Sequence, residues 1–245
     1  MEDKALLSTE VASGTEKAEL LIVIPAYNEA ENIERVVNHL TANFPQYDYV
    51  VVNDGSRDET AAICQRNGYN LLNLPVNLGL AGAFQAGLKY ADKYGYQYAV
   101  QLDGDGEHRP EYLESMIKKM EEGYDIVIGS RFVGEKKPFT MRMLGSNLIE
   151  MAIRFTTGVN IKDPTSGMRM FSKRMIREFA SGLNYGPEPD TVSYLIRQGA
   201  RVAEVPVIMD ERILGVSYLT PVNAMRYMLK MLISILLIQN FRKRR

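Results

Sequence analysis

The chain has 245 residues, enough for one large domain or one domain with an appendage, and at 46% hydrophobic and 24% charged it can bury a sizeable core. A formal net charge of -1 excludes a general affinity for nucleic acid. Cys64 is the only cysteine, which excludes an internal disulfide and suits a reducing compartment.

Residues 1–19 are polar, lack the apolar core of a signal peptide and read as a mobile tail. Residues 20–24 are all apolar, as a strand buried on both faces should be. The run stops at Pro25, and Asn28 can cap a helix over 29–40. A second strand at 49–52 ends in Asn53, Asp54, Gly55 and Ser56, and Ser56 or Asp58 can cap a helix that reaches Arg66. Cys64 falls at an apolar position of that helix, where no reactive role is expected. A short strand at 70–74 precedes a helix over 79–93 with Gly82, Ala83, Ala86 and Gly87 on its packing faces. The strand at 98–102 runs straight into carboxylates and glycines, and a helix over 110–121 and a strand at 125–129 follow. This alternation predicts an α/β fold, a mostly parallel sheet with helices on both faces. The expected domain covers 20–220, with an appended helix and basic tail over 221–245.

In such a sheet, ligands bind beyond the carboxyl ends of the strands. Three of those ends are polar here: Tyr27, Asn28 and Glu29; Asp54 and Ser56; Asp103, Asp105 and Glu107. Asp103 and Asp105 are two apart and share a face if strand geometry persists. Paired carboxylates repel, and a divalent cation relieves that cost by taking both as oxygen ligands. Glu107 can add an oxygen and His108 a nitrogen, while Gly104 and Gly106 leave room for a bulky ligand. The alternative is a surface Asp-Gly turn. Asp54 can accept from a base or ribose or form an Asx turn, and Tyr27 can stack on a base or pack on the sheet edge.

Four stretches occur in order: Pro25-Ala-Tyr-Asn-Glu29, Asn53-Asp-Gly-Ser56, Asn77-Leu-Gly-Leu-Ala-Gly82 and Asp103-Gly-Asp105. Together they resemble the family-2 inverting glycosyltransferases of the nucleotide-sugar-binding (GT-A-type) fold. The later stretches Gly129-Ser-Arg131, Asp163-Pro-Thr-Ser-Gly167, Val202-Ala-Glu-Val-Pro206 and Glu211-Arg212, with Gly215 and Ser217, resemble the polyprenyl-phosphate (dolichol-phosphate-mannose-synthase-like) branch. By that resemblance Pro25, Tyr27, Glu29 and Asp54 hold the nucleoside and Asp103 contacts ribose and phosphate. Asp105 and Glu107, beside Asp103, hold Mg²⁺ or Mn²⁺ on the diphosphate. Two positions depart from the pattern: many relatives have Asp at Asn53, and often Gln at Glu107.

Sugar departure builds negative charge on the β-phosphate, which a metal and arginine neutralise. Arg131 and Arg212 are the candidate clamps, with solvated surface arginines as the alternative. A hydroxyl acceptor needs a base, for which Glu188 and Asp190 are the candidates. A lipid monophosphate does not, since its second pKa is about 6. The 163–167 stretch then reads as an acceptor loop containing Asp163, with Thr165 and Ser166 as donors, or else as a Pro-Gly turn.

Met225, Met228, Leu229, Leu232, Leu236 and Gln239 follow helical spacing, but the apolar stretch is shorter than the roughly 20 residues a span needs. With the basic cluster Arg242, Lys243, Arg244 and Arg245, it suits an anionic membrane surface. Leu144, Leu148, Met151 and Phe155 form a second stripe. Packing on the domain or a dimer contact is the alternative for both. The expectation is transfer of a hexose from a nucleotide sugar, UDP-linked, to a polyprenyl phosphate for cell-envelope glycan synthesis. It places the chain in the cytoplasm, peripheral on the inner face of the cell membrane, as a homo-oligomer or with a small membrane partner protein. A saccharide or lipid-linked saccharide hydroxyl acceptor, with Asp190 or Glu188 as base, is the second reading. A non-catalytic nucleotide-sugar sensor is a third; a sugar nucleotidyltransferase would carry a Gly-rich loop where Pro25 to Glu29 stands.

Overall fold

The computed structural model describes residues 19–135, 137, 138, 140–182, 186, 188–210 and 221–241. Residues 1–18 of the expected 1–19 tail, the 211–220 segment with Arg212, and the basic cluster 242–245 lie outside them. The first apolar run becomes strand β1 (Leu20–Ala26), followed by α1 (Ile33–Asn43), β2 (Asp48–Asp54), α2 (Thr60–Arg66), β3 (Leu71–Leu74) and α3 (Gly79–Tyr94). Next come β4 (Tyr98–Gln101), a 3-10 turn (Pro110–Tyr112), α4 (Leu113–Glu121), β5 (Ile126–Ser130) and α5 (Met141–Thr157). The chain ends with β6 (Arg169–Ser172), α6 (Lys173–Ser181), α7 (Pro189–Arg197), β7 (Val202–Pro206), α8 (Pro221–Leu236) and a 3-10 turn (Ile238–Phe241).

The strands form one 7-stranded sheet in the order β3-β2-β1-β4-β6-β5-β7, with β6 antiparallel to both neighbours. Both faces are covered, which explains why β1 is apolar at every position. Leu21 and Val23 pack with Phe84 and Leu88 of α3 on one face, and Leu20, Ile22 and Ile24 with Ile33, Val37 and Leu40 of α1 on the other. Cys64 is buried, and burial pushes its thiol up to about 11, as suits an inert side chain.

The topology positions the site. From β1 the chain winds outward through β2 and β3, then returns to β4 on the opposite side of β1. Connections leaving β1 and β4 therefore diverge and open a crevice beyond their carboxyl ends. Asn28 does not cap a helix there, since α1 begins only at Ile33. It takes a left-handed conformation (φ 57), which asparagine tolerates. Its N–H donates to Ser56 Oγ (3.0 Å) and its Oδ1 accepts from the Arg57 N–H (2.9 Å). The Glu29 N–H donates to Thr60 Oγ1 and the Ala30 N–H to Asp58 Oδ2. Ser56 and Asp58 thus stitch the two loops together, and Glu59 stands at the N-cap of α2.

Helix α8 packs against α5 and α7, burying Met231 and Ile235. Close approach requires Gly145, where a Cβ would lie 2.8 Å from Met228 Cγ. The same helix exposes Met225, Leu229, Ile233 and Leu236, while α5 exposes Leu144, Leu148, Met151 and Phe155, the last at 85%. Packing on the domain and an outward apolar stripe therefore coexist. No described helix is long and apolar enough to cross a membrane.

Candidate active site

The crevice is a cleft of about 410 Å³, within the range of small-ligand sites. Pro25 lines it from β1, Tyr27 and Glu29 from the loop after β1, Asp54 from β2, and Asp103 and Asp105 from the loop after β4; Gly79, Leu80 and Ala83 close it from the start of α3, with Asn77 just before. Six residues selected from the sequence thus share one wall.

Each carboxylate is held by its surroundings. Asp54 is 3% exposed, and its Oδ1 accepts from the Leu78 N–H at 2.7 Å, pinning the turn before α3. Asn53 points elsewhere, donating to Asn73 Oδ1 at 2.6 Å, so it ties β2 to β3 and Asp54 is the acid at this strand end. Asp103 Oδ1 accepts from Gln101 Nε2 at 2.8 Å, and the Asp103 N–H donates to His108 Nδ1 at 3.0 Å. That bond makes Nδ1 the acceptor, so the proton of the neutral ring sits on Nε2, 3.8 Å from Asp103 Oδ2. His108 is spent on holding the backbone of Asp103. Asp105 Oδ1 accepts from the Glu107 N–H at 3.1 Å, and Arg35 Nη2 donates to the Asp105 carbonyl at 2.9 Å.

Among the described residues, no group of three or more His, Cys, Asp or Glu side chains converges at metal-ligand spacing. Asp103 and Asp105 nevertheless face one cleft, and Mg²⁺-type sites on phosphate substrates commonly use one or two carboxylates and complete the shell with phosphate oxygens. The donor set fits such a cation. Glu107 is not among the lining residues; its charge bears on Arg131.

Beyond Asp103 lies the 163–167 loop. Arg131 donates to the fully buried Asp163 through Nε (2.7 Å), Nη2 (2.9 Å) and its backbone N–H (3.1 Å). Burial opposes the arginine charge, but these bonds and the Asp163 charge outweigh it and hold the guanidinium above the usual arginine range. Ser166 Oγ donates to the Gly129 carbonyl at 2.6 Å and Thr165 Oγ1 to Asp163 Oδ1 at 3.3 Å, so both hydroxyls brace the loop. A Cβ on Gly167 would stand 3.0 Å from His108 Cε1 and 3.2 Å from Asp103 Oδ2. Any larger side chain there would force the loop, His108 or Asp103 to give by a few tenths of an ångström.

Glu188 and Asp190 do not line the cleft. Tyr227 donates to Glu188 Oε2, and Ser234 Oγ donates to Asp190 Oδ2 at 2.6 Å, so both acids bind α7 to α8. Two supporting residues went unrecognised from sequence: Arg35 and Gln101. Gln101 had a readable signal, a polar side chain inside an apolar strand next to Asp103; Arg35 on its helix had none.

A family model described as glycosyl transferase family 2 matches residues 21–179. Polyprenol monophosphomannose synthase of Mycolicibacterium smegmatis is 32% identical over 223 residues, 86% of this chain and 84% of that protein. Undecaprenyl-phosphate mannosyltransferase of Micrococcus luteus is 31% identical over 210 residues, 81% and 86% of the two chains. Among solved structures, glucosyl-3-phosphoglycerate synthase of Mycobacterium tuberculosis, in complex with Mn²⁺, uridine diphosphate and phosphoglyceric acid, shares the fold with a TM-score of 0.63. It is 20% identical and matches 92% of this chain and 79% of that one.

Proposed function

The chain belongs to glycosyl transferase family 2, and within that family we propose that it moves a hexose from a nucleotide sugar to a polyprenyl phosphate at a membrane surface. The observation that carries the acceptor reading is the fate of the two candidate bases. Glu188 and Asp190 are engaged by Tyr227 and Ser234 and stand outside the cleft lining. A hydroxyl acceptor would need such a base, whereas a phosphate monoester is already largely ionised near neutral pH. The names of the two relatives point the same way and make mannose the first hexose to test.

Tyr27 and Asp54 would bind the nucleoside, with Pro25 and Glu29 shaping that end of the cleft. Asp103 and Asp105 would hold Mg²⁺ or Mn²⁺ against the diphosphate; Glu107, outside the cleft lining, would have to move to join them. When bound, the cation supplies charge neutralisation to the departing phosphate. Arg131, fixed by Asp163, presents its remaining N–H edge for the acceptor phosphate, and Gly167 sets that loop against Asp103. The test is purified protein with UDP-glucose, UDP-N-acetylglucosamine and GDP-mannose, each offered undecaprenyl phosphate or undecaprenol. Transfer to the phosphate alone supports the reading; transfer to the alcohol, or hydrolysis without transfer, overturns it.

Gly167→Ala checks the loop contact. The added methyl forces the loop and Asp103 apart by a few tenths of an ångström, and since a misplacement of about 1 Å costs roughly a hundredfold, transfer should fall by roughly threefold to tenfold. Thermal denaturation should move by only a few degrees, roughly the effect of 1 kcal/mol. Unchanged kinetics would detach the loop from the reaction.

The membrane part of the proposal rests on the exposed stripes of α5 and α8, which lie on packed helices and include Phe155, Met151, Met225 and Leu229. Arg226 and Lys230 are exposed on the same helix α8. Apolar residues flanked by cations suit an anionic bilayer surface. Changing Phe155 and Met151 to Ser should lower co-sedimentation with anionic vesicles by at least roughly tenfold, since withdrawing even two CH₂ equivalents from lipid costs about 1.6 kcal/mol at roughly 0.8 kcal/mol each. Transfer to a short soluble acceptor should be spared. Equal sedimentation of both proteins would assign the stripe to a protein contact.

A further inference from the structure

Among the described residues four buried polar side-chain atoms lack a hydrogen-bond partner: Gln101 Oε1, Arg169 Nε, Arg169 Nη1 and Ser146 Oγ. Native interiors rarely leave such groups unsatisfied, so each calls for an account. Three of the four belong to two neighbouring side chains. Strands β4 and β6 pair antiparallel with Val100 opposite Met170, which sets Gln101 opposite Arg169. Directly opposed residues share a sheet face, with Cβ atoms about 4.5–5.5 Å apart. The unpartnered atoms are complementary, one acceptor on Gln101 and two donors on Arg169. Both side chains are sealed from solvent, at 1% and 2% exposure.

Their other ends are anchored at two parts of the site. Gln101 Nε2 donates to Asp103 Oδ1 at 2.8 Å, and Arg169 Nη2 donates to the Pro164 carbonyl at 2.7 Å. We propose that Arg169 donates to Gln101 Oε1 through one internal water, so that the two act as positioning residues in a buried bridge from the 163–167 loop to Asp103.

The bridge fixes the carboxamide: its oxygen faces Arg169, so its NH₂ must face Asp103 and holds that carboxylate by its ionised oxygen. Burial disfavours the Arg169 charge, and Glu188 is the leading acid that offsets it. A guanidinium suits the place because one planar head can reach a loop carbonyl and a strand side chain at once. Gly167 rests on Asp103 from the same loop, so loop and carboxylate are joined at two points. The inference depends on the reading of Asp103 as a donor-site carboxylate and of 163–167 as the acceptor loop.

The test is a double-mutant cycle with Gln101→Leu and Arg169→Lys, plus Gln101→Glu. Affinities for UDP and GDP are measured by calorimetry with and without Mn²⁺, the acceptor KM by transfer kinetics, and stability by thermal unfolding. Gln101→Leu should weaken nucleotide binding and raise the acceptor KM together, each by roughly tenfold, the scale of one hydrogen bond to a charged group. Arg169→Lys should act in the same direction, and the double variant should be no worse than the poorer single. Gln101→Glu separates positioning from packing. It keeps an acceptor for Arg169 in a side chain of the same shape, so it should unfold closer to the unmodified protein than Gln101→Leu does. At a pH where both carboxyls are ionised it repels Asp103 instead of donating to it and should lose nucleotide affinity.

Multiplying effects in the cycle would overturn the bridge, as would changes confined to unfolding temperature. If Arg169→Lys fails to fold, the contrast between Gln101→Leu and Gln101→Glu decides. Should the unmodified protein bind neither nucleotide, the donor reading of Asp103 falls and the bridge's role with it. If it binds nucleotide but glycosylates no lipid phosphate, the acceptor reading fails, and the nucleotide cycle still decides the bridge.

Discussion

Asp105→Asn is expected to abolish sugar transfer, by roughly a thousandfold or more, in a protein that remains folded. The substitution removes a charge from the cleft wall without changing its shape. Asp105 Oδ1 accepts from the Glu107 N–H, and the amide oxygen of asparagine can accept the same bond. Stability should therefore stay within roughly 0.5 kcal/mol, as for most changes at partly exposed positions. The loss comes from the cation, since a neutral amide oxygen is a much poorer partner for a hard divalent ion than a carboxylate. Nucleotide binding provides the specific signature. Affinity in Mn²⁺ should fall sharply, whereas affinity in EDTA should scarcely change, because Tyr27 and Asp54 are untouched. Calorimetry with and without Mn²⁺, circular dichroism and transfer kinetics check the three parts. Wild-type turnover in EDTA, or a fully active Asp105→Asn, would sink the metal assignment.

The cleft wall was legible because it depends on local pattern. Residues 20–24 and 98–102 read as buried strands from their apolar runs, and polar residues just beyond such strands must lie on the carboxyl rim. Tyr27, Glu29, Asp54, Asp103 and Asp105 therefore fell on one rim, and Pro25 joined them only through the family resemblance. Pairings across long sequence separations did not announce themselves. Nothing near Arg131 signals that Asp163, 32 residues on, takes three of its donors. Nothing near Asp190 signals Ser234, 44 residues away. Asn28 looked like a cap because asparagine favours both caps and left-handed turns, and only the neighbouring Ser56 and Arg57 decide which. Strand β6 is four residues long and follows a Pro-Gly loop, too short a pattern to identify alone.

Those long-range pairings make the acceptor testable through two substitutions with opposite expectations. Arg131→Gln should lower transfer to a lipid phosphate by roughly 2–4 kcal/mol of transition-state stabilisation, the scale of one electrostatic contact to developing charge. It also strips the fully buried Asp163 of its cationic partner, and breaking such a pair costs roughly 3–5 kcal/mol of stability. Kinetics must accordingly be run at a temperature where circular dichroism shows the variant folded. Asp190→Asn should cost less than about threefold, because its amide oxygen can still accept from Ser234 and no proton leaves the acceptor. For a hydroxyl acceptor the order reverses. The base then becomes indispensable, and losing it should cost roughly a hundredfold or more in turnover. The ratio of the two losses, measured on one preparation with nucleotide affinity as a control, therefore identifies the nucleophile. A loss above roughly a thousandfold for Asp190→Asn, with nucleotide binding retained, would move the nucleophile to a hydroxyl and make Asp190 its base.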